Sequence, residues 1–256
     1  MMEIGPEPCT PLAGDDLRAA GGLLFDFDGV MADSERVYMA SWNEALAPWG
    51  VSIPEEEYFR YWTSLGEGLP GHIARHGDQG IDEARAAALQ RRTYESLCGS
   101  GAVGLMPGAA SVLEALSSSS FAGRFAIASN TDTRLVAGIL TRAGAPVPPV
   151  IGGEALPRKP MPDIFLAAAR KIGSRPGSTL VFEDAWKGLE AARRGGFRHV
   201  LVRAPHNSGM SLDADFTLEG IAALLPLIGA MPGGRRSPGR LASGAGLRDN
   251  ARNDGG

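Results

Sequence analysis

The sequence contains little cysteine, little lysine and no long apolar run. Its two cysteines, Cys9 and Cys98, are too few for a disulfide framework and are typical of a protein in the reducing cytoplasm. The longest apolar run near the C-terminus, residues 221–230, is too short to span a bilayer and is interrupted by Pro226. Residues 1–20 lack the basic start and the apolar stretch of a secretory signal. The sequence therefore predicts a cytoplasmic protein without a membrane partner.

The charge of the chain argues against further classes of partner. The formal net charge is −4 and the isoelectric point is about 5.6, which argues against nucleic acid or an anionic membrane as the main partner. A phosphorylated small molecule remains compatible with this charge, because a few local cations can bind it. Lysine occurs only as Lys159, Lys171 and Lys187, so each of these side chains stands out among the many arginines.

Short apolar segments alternate with helical patterns along most of the chain. The patterns predict strands at residues 23–27, 125–129, 147–151, 179–182 and 199–202, and helices at residues 108–116, 133–143, 162–172 and 186–195. This alternation predicts an α/β fold, in which a Rossmann-like, doubly wound parallel sheet carries helices on both faces. Ligands of such folds bind beyond the carboxyl ends of the strands.

The stretch of residues 34–104 interrupts this alternation. It carries amphipathic helical patterns at residues 36–49, 55–61 and 81–97 and no convincing strand. We therefore expect an inserted α-helical cap, of the kind that excludes water and selects substrate. The predicted division of the chain is a flexible N-terminus at 1–20, an α/β core domain at 21–33 and 105–230, a helical cap domain at 34–104, and a disordered tail at 231–256.

Two carboxylates one residue apart, Asp26 and Asp28, follow the first apolar strand. Side chains alternate between the faces of a strand, so both carboxylates point the same way if the strand continues through them. Buried carboxylates need a partner, and a pair at the end of a strand favours a bound cation or a nucleophile that attacks an electrophile. The alternative is a hairpin turn, which the Asp28-Gly29 dipeptide also permits.

Three further polar segments accompany this pair: Ser129-Asn130, Arg158-Lys159-Pro160 and Glu183-Asp184. Each alone has a purely structural interpretation, as a helix cap or a solvated loop cation. Their carboxylates, taken with the first pair, suit Mg²⁺, a hard cation that prefers oxygen ligands. Their hydroxyl, amide and ammonium groups suit a phosphoryl group. The four segments together indicate phosphoryl-transfer chemistry.

In their order along the chain, these segments resemble the four motifs of the haloacid dehalogenase superfamily. The matching stretches are DFDGVMADSE, IASN, RKPMPDIF and FEDAWKGLEAARRGG, and the resemblance covers about residues 22–225. It implies a phosphotransferase that uses Mg²⁺ and has a helical cap of the family's first type at residues 34–104. Family dehalogenases and phosphonate-cleaving relatives lack an acid at the position of Asp28, so this residue points to phosphate esters.

The resemblance also implies a role for each site residue. Asp26 attacks phosphorus and becomes phosphorylated, while Asp28 protonates the leaving oxygen and then deprotonates the hydrolytic water. Ser129, Asn130 and Lys159 bind the phosphoryl group of the substrate. The residues implied to bind the metal are Asp26, Asp28 (through its main-chain carbonyl), Glu183 and Asp184.

Within the family, the last motif and the cap resemble the branch that contains β-phosphoglucomutase and small-molecule phosphatases of the phosphoglycolate phosphatase type. Two departures weigh against the mutase. Tyr38 stands where the mutase carries a histidine, and residues 66–69 lack the arginine of its Gly-x-x-Arg cap motif. A mutase must hold a bisphosphate and turn it around, so the missing second phosphate clamp weighs against this activity. We therefore expect hydrolysis of a small phosphorylated metabolite, such as a sugar phosphate or phosphoglycolate.

Two alternative functions stay open. One is a phosphotransferase of the β-phosphoglucomutase type, and the other is a catalytically idle binding or scaffold protein that contacts a partner through its arginine-bearing tail. The expected form is a monomer whose partner is the small phosphorylated substrate.

His72 and His76 lie four residues apart and could bind a transition metal on a helix, but we favour a surface or substrate-facing role for them.

Overall fold

A seven-stranded parallel sheet forms the centre of the molecule. The computed structural model describes residues 9–154, 156–208, 210 and 212–230, so the predicted tail at 231–256 lies outside the described residues. The strands are β1 (Thr10–Pro11), β2 (Gly22–Phe25), β3 (Ala32–Asp33), β4 (Gly104–Leu105), β5 (Phe125–Ala128), β6 (Val150–Ile151), β7 (Thr179–Glu183), β8 (Arg198–Val202) and β9 (Phe216–Leu218).

The order of strands in the main sheet is β1-β9-β8-β7-β2-β5-β6, and every neighbouring pair is parallel. The α-helices are α1 (Gly14–Ala19), α2 (Glu35–Leu46), α3 (Glu55–Glu57), α4 (Gly68–His76), α5 (Glu83–Ser100), α6 (Ala109–Ser117), α7 (Thr133–Arg142), α8 (Asp163–Lys171), α9 (Trp186–Arg194) and α10 (Leu224–Gly229).

The two faces of the sheet bury two separate apolar clusters. Leu23 and Phe25 of β2 contribute to the cluster that contains residues of α6, α7 and α10. Leu24, which points to the opposite face, belongs to the cluster that contains residues of α8 and α9. The strands are therefore apolar at successive positions because both of their faces are covered. This arrangement confirms the predicted doubly wound α/β fold.

The described segment between β3 and β4 has helices as its only regular secondary structure. It contains α2 to α5, a 3₁₀ turn at Ala47–Trp49 and a π-helix at Tyr58–Ser64. Its own apolar cluster consists of Leu46, Val51, Ile53, Tyr58, Trp62, Leu69 and Ala86. β3 and β4 pair antiparallel, so the chain leaves and re-enters the core side by side. This ribbon joins the helical segment to the core, and the limits of the cap at residues 34 and 104 stay a prediction.

The expectation of a flexible N-terminus over residues 1–20 is wrong for residues 9–20, the part that the structure describes. β1 extends the sheet beside β9, and the Leu12 amide donates to the Thr217 carbonyl at 2.9 Å. Leu17 of α1 is completely buried in the main core. The composition of this segment does not predict these contacts, because two apolar side chains among Pro, Gly and Asp are enough to attach the segment to the core.

Two shorter elements, β6 and β9, also differ from the sequence prediction. The strand predicted at residues 147–151 is limited to β6, because Pro148 and Pro149 have no amide hydrogen for the ladder. β9 was not predicted, since its three residues lie in a polar surrounding. The apolar run at 221–230 forms a 3₁₀ turn at Ile221–Ala223 followed by α10.

Candidate active site

The predicted site residues meet at the carboxyl ends of three neighbouring strands. Asp26 follows β2, Ser129 follows β5, and Asp184 follows β7, and these three strands are adjacent in the order β7-β2-β5. The loop between β6 and α8 adds Lys159 to the same place. Ligand sites of parallel sheets lie at this edge, so the fold brings together segments that are far apart in the sequence.

The Lys159 ammonium lies at the centre of the buried part of the site. It donates to Asp26 Oδ1 at 2.6 Å, to Glu183 Oε1 at 2.6 Å and to the Ala128 carbonyl at 2.9 Å. Its Nζ also lies 4.5 Å from the ring centroid of Phe165. All three donors of the ammonium therefore have an acceptor, and the side chain is fixed between two carboxylates.

Burial and the neighbouring charges shift the pKa values of this group. Burial lowers the pKa of Lys159, but the carboxylates of Asp26 and Glu183 outweigh it and raise the pKa above its ordinary value. Burial and the charge of Glu183 hold the pKa of Asp26 well above its usual range, although Lys159 opposes them. Burial raises the pKa of Glu183 to about 7, against the opposing effect of Lys159. One ammonium does not neutralise these carboxylates, so a further cation would stabilise them.

Carboxylate oxygens of Asp26, Glu183 and Asp184 all lie within 4.8 Å of one another, in a group that could hold a metal ion. Two glycines leave room for carboxylates of this group. A Cβ atom on Gly29, where φ is +78°, would overlap Asp184 Oδ2, and a Cβ atom on Gly188 would overlap the Glu183 carboxylate. The oxygen donors and the space around them fit Mg²⁺.

Asp28 is placed differently from these three carboxylates. Its Oδ1 accepts hydrogen bonds from the hydroxyls of Ser34 at 2.7 Å and Tyr94 at 3.3 Å. Its Oδ2 accepts from the hydroxyls of Ser129 at 2.9 Å and Thr131 at 2.7 Å. The Asp28 carboxylate is thus held by four hydroxyls and does not belong to the acidic cluster of Asp26, Glu183 and Asp184.

Sequence reasoning predicted Ser129 as a phosphate ligand but missed the other three hydroxyl donors around Asp28. Ser34 lies within the first motif, and Thr131 lies two residues after Ser129, so both were close to a recognised signal. Tyr94 comes from α5 of the cap and has no distinguishing pattern in the sequence.

Asn130 connects two of the predicted segments. Its side-chain Oδ1 accepts the Lys159 amide at 3.0 Å, and its main-chain carbonyl accepts from Arg158 Nη2 at 2.9 Å. The loop that carries Lys159 is therefore fixed to the end of β5. Asn130 also lines the cavity of the site.

A further loop, after β8, supports Asp184 and was not predicted. His206 Nε2 lies 2.6 Å from Asp184 Oδ2, and Asn207 Nδ2 donates to the Asp184 carbonyl at 2.9 Å. Burial lowers the pKa of His206, whereas its hydrogen bond to Asp184 raises it, with a net increase. The His206 ring stacks on Phe59 of the cap, with centroids 6.3 Å apart. Asp184 is thus oriented directly by His206 and Asn207 of the core, and indirectly by Phe59 of the cap, which stacks on His206.

Glu35, the first residue of α2, faces the same cavity from the cap side. Its Oε2 accepts from the Thr63 hydroxyl at 2.8 Å and from the Tyr58 hydroxyl at 3.4 Å. Burial and the charge of Asp184 raise the pKa of Glu35 to about 7. Sequence reasoning did not identify this carboxyl group, although it lies within the first motif.

Two connected cavities open above these groups. The inner one has a volume of ≈ 170 Å³ and is lined by Asp26, Lys159, Glu183 and Asp184. The outer one, of ≈ 350 Å³, shares Asp28, Lys159 and Lys187 with it and extends past Arg158. Cap residues line both cavities together with core residues, so a small ligand can be enclosed between the two domains.

The surface role that the sequence analysis favoured is wrong for His72 and is confirmed for His76, whose side chain is 42% exposed. His72 is buried, and its Nδ1 lies 2.9 Å from Glu57 Oε1, while His76 Nε2 lies 3.0 Å from the same oxygen. Neither histidine is among the residues that line the two cavities. They form a hydrogen-bonded cluster within the cap.

Comparison with known proteins agrees with this geometry. The family model of the haloacid dehalogenase-like hydrolases matches residues 21–196, more than half of the chain. The chain belongs to this family. The recognition based on the four motifs is thereby confirmed, and the expected class of enzyme, a hydrolase of phosphoric monoesters, is supported by the family model and by curated relatives.

Two curated relatives illustrate the similarity. Protein CbbY of Rhodobacter capsulatus is 32% identical over 205 residues, which cover 75% of this chain and 89% of the relative. The fructose-1-phosphate phosphatase YqaB of Escherichia coli K12 is 27% identical over 185 residues, which cover 71% of this chain and 96% of the relative.

Solved structures share the same fold. The crystal structure of CbbY from Rhodobacter sphaeroides in complex with phosphate has a TM-score of 0.67 at 25% identity, and the match covers 82% of this chain and 99% of that one. A β-phosphoglucomutase from Clostridium difficile has a TM-score of 0.63 at 20% identity, with 82% and 97% of the two chains covered. Among the described residues, no helix has the length and apolar character needed to cross a bilayer.

Proposed function

We propose that this chain is a Mg²⁺-dependent phosphatase that hydrolyses a small phosphorylated metabolite through a phospho-aspartate on Asp26. The observation that carries the proposal is the position of Lys159, whose ammonium lies 2.6 Å from carboxylate oxygens of both Asp26 and Glu183 at the base of a cavity. A fixed cation next to a nucleophilic carboxylate suits the attack of that carboxylate on an anionic phosphoryl group.

Asp26 is the nucleophile. One of its carboxylate oxygens forms a bond to phosphorus, and the bond between phosphorus and the ester oxygen breaks. Asp28 donates a proton to the departing oxygen, then accepts a proton from the water that attacks the phospho-aspartate. The bond between phosphorus and Asp26 breaks in this second step and inorganic phosphate is released. Asp28 suits this role because hydroxyls on both of its oxygens fix its orientation.

Ser129, Asn130 and Lys159 bind the phosphoryl group in this proposal. The Ser129 hydroxyl donates to Asp28 at 2.9 Å, so phosphoryl binding requires this hydroxyl to turn towards a phosphoryl oxygen. The Asn130 amide lines the inner cavity. The Lys159 ammonium contributes the positive charge that offsets the phosphoryl oxygens as Asp26 approaches.

Mg²⁺ is assigned to the carboxylates of Asp26 and Asp184 and to the main-chain carbonyl of Asp28, with Glu183 supporting its coordination. When bound, the ion would polarise a phosphoryl oxygen and neutralise part of the charge that keeps the pKa of Asp26 high. His206 and Asn207 orient Asp184 for this role.

The proposed substrate class is a sugar phosphate, because relatives named for their substrates act on such compounds. YqaB is named for fructose 1-phosphate, and another curated relative of Escherichia coli is a hexitol phosphatase. The cavities are small and polar enough for a molecule of this size.

The test is phosphate release in the presence of Mg²⁺ from a panel of sugar phosphates, phosphoglycolate, nucleotides and glycerol phosphates. We expect turnover of at least one sugar phosphate, its loss in EDTA, and its loss in the Asp26→Asn variant. Turnover that persists in Asp26→Asn contradicts the nucleophile assignment. Conversion of β-glucose 1-phosphate to glucose 6-phosphate that outruns phosphate release would favour the mutase alternative, and no turnover on the whole panel would favour the idle scaffold.

A further inference from the structure

A second group of metal-ligating side chains lies in the cap, away from the phosphoryl site. It consists of Glu57 at the end of α3 and of His72 and His76 on α4, and is called the histidine cluster below. One ligand atom from each residue lies within 4.8 Å of the other two. In the described part of the chain, the acidic cluster of the active site is the other such group. The histidine cluster lines neither cavity of the active site, so the phosphoryl chemistry does not explain it.

The two histidines converge on a single oxygen of Glu57. His72 Nδ1 lies 2.9 Å from Oε1, and His76 Nε2 lies 3.0 Å from it. Their four-residue spacing places the two rings on one face of α4, with centroids 4.4 Å apart. In a tetrahedral zinc site with metal–ligand distances of about 2.0–2.2 Å, neighbouring ligand atoms are about 3.3–3.6 Å apart. Movements of about 0.5 Å would therefore make room for an ion among the three ligand atoms.

Hydrogen bonding alone leaves the histidine cluster incompletely satisfied. Arg75 Nη2 is a third donor directed at Glu57 Oε1, at 3.4 Å, although a carboxylate oxygen has two lone pairs. His72 is 3% exposed, and its other ring nitrogen, Nε2, is buried without a hydrogen-bond partner among the described residues. A bound ion would replace two of the three donors that compete for Oε1, and no acceptor at Nε2 fixes the proton of His72 on one nitrogen.

The Arg75 guanidinium is the positive charge that opposes a cation at this place. Its Nη1 contacts the carboxylate of Glu67, and its central carbon lies 4.0 Å from the ring centroid of Tyr61. These contacts hold the guanidinium to one side of Glu57, and Glu67 offsets its charge. Arg75 can therefore keep its place in the cap when an ion binds to Glu57.

We propose that Glu57, His72 and His76 form a binding site for a divalent transition metal, in particular Zn²⁺. Two imidazoles and one carboxylate are ligands that zinc takes, whereas the three carboxylates of the active site suit the harder Mg²⁺. The His76 side chain is 42% exposed, so water can reach a fourth coordination position. The proposal is independent of the phosphatase activity.

The ion would connect two parts of the cap that flank a wall of the active site. The π-helix at Tyr58–Ser64 lies between Glu57 and α4, and Tyr58, Trp62 and Thr63 line the inner cavity. A metal that joins α3 to α4 therefore restrains this wall without contacting the substrate. We expect its main effect to be on the stability of the cap, since a ligand that binds only the folded state stabilises that state.

The test is calorimetric titration of the full chain with ZnCl₂, with and without excess Mg²⁺. We expect one Zn²⁺ per chain to bind in excess Mg²⁺. Glu57→Gln and His76→Gln should each weaken this binding by at least about 100-fold, because losing a direct ligand costs more than the 10–100-fold that losing a supporting residue costs. His199→Gln is the matched control, since His199 lies 3.0 Å from Asp215 instead, and it should bind Zn²⁺ as the wild type does.

Co²⁺ and thermal denaturation provide two further measurements. Tetrahedral Co²⁺ with imidazole ligands absorbs visible light more strongly than octahedral Co²⁺ among oxygens, so the wild type should show this stronger absorption and His76→Gln should lose it. Zn²⁺ should raise the melting temperature of the wild type by more than that of His76→Gln.

Equal Zn²⁺ affinity in the wild type and His76→Gln would overturn the proposed site. Binding that excess Mg²⁺ abolishes would also overturn it, because the ion would then occupy the acidic cluster. If His76→Gln fails to fold, the wild-type Co²⁺ spectrum decides, and a weak octahedral spectrum contradicts the proposal. In each of these cases Glu57, His72 and His76 form a hydrogen-bonded cluster only.

Discussion

Replacing Lys159 with Met leaves the carboxylates of Asp26 and Glu183 buried without their cation. The lysine side chain is 4% exposed and donates three hydrogen bonds, two of them to these carboxylates at 2.6 Å. Removing one partner of a buried ion pair costs about 3–5 kcal/mol, because the remaining charge is uncompensated. We therefore expect Lys159→Met to lower the free energy of unfolding by about 3–5 kcal/mol at pH 8 in EDTA, measured by urea denaturation.

The pH dependence of this loss tests its electrostatic origin. The pKa of Glu183 in the folded protein, about 7, lies above its ordinary value of 4.5, so its contribution to stability falls as the pH rises from about 4.5 to about 7. Without Lys159 the pKa values of Asp26 and Glu183 rise further, and both groups take up protons at pH 5. The loss in Lys159→Met should therefore be smaller at pH 5 than at pH 8.

The exposed Lys171 provides the control, and Lys171→Met should change stability by less than about 0.5 kcal/mol. A loss below about 1 kcal/mol at pH 8 in Lys159→Met, or a loss that is larger at pH 5, would refute the reasoning.

Three further predictions address Asp28, Gly29 and Glu35. Asp28→Ala should reduce turnover of alkyl phosphates far more than the first phosphoryl transfer from p-nitrophenyl phosphate, because a stabilised phenolate needs no acid; equal losses in stopped-flow assays would contradict this. Gly29→Ala should abolish Mg²⁺-dependent activity by displacing Asp184, whereas Gly77→Ala, at a φ of +82° with open space around it, should retain it. In the wild type, the raised pKa of Glu35 makes the free energy of unfolding fall as the pH rises from about 4.5 to about 7, so this fall should be smaller in Glu35→Gln. Urea denaturation curves in EDTA that match those of the wild type across this range would show that the carboxyl group does not titrate there.

The sheet and its central site could be predicted because their signals are local. The apolar runs at β2, β5 and β7 are followed directly by the polar residues of the site, and a parallel sheet must bring those ends together. Asp26 was predicted from its strand end, whereas Lys159, which lies 133 residues away, was predicted from the order of the four motifs; the two side chains form an ion pair.

The hydroxyls around Asp28 and the support of Asp184 could not be predicted in the same way. Tyr94 reaches Asp28 from a cap helix 66 residues away, and an aromatic residue on an amphipathic helix normally indicates core packing. His206 reaches Asp184 from a loop without a motif. These contacts depend on how the cap and the loops pack, which the periodicity of the sequence does not specify.

The central claim is that Asp26 carries the phosphoryl group during turnover. The most direct test is mass spectrometry of peptides from the Asp28→Ala variant, quenched in acid after reaction with p-nitrophenyl phosphate and Mg²⁺. If Asp28 activates the hydrolytic water, this variant accumulates the intermediate, and the phosphoryl group is found on Asp26. Phosphate release by Asp28→Ala with no labelled peptide, or with the label on another residue, would contradict the mechanism.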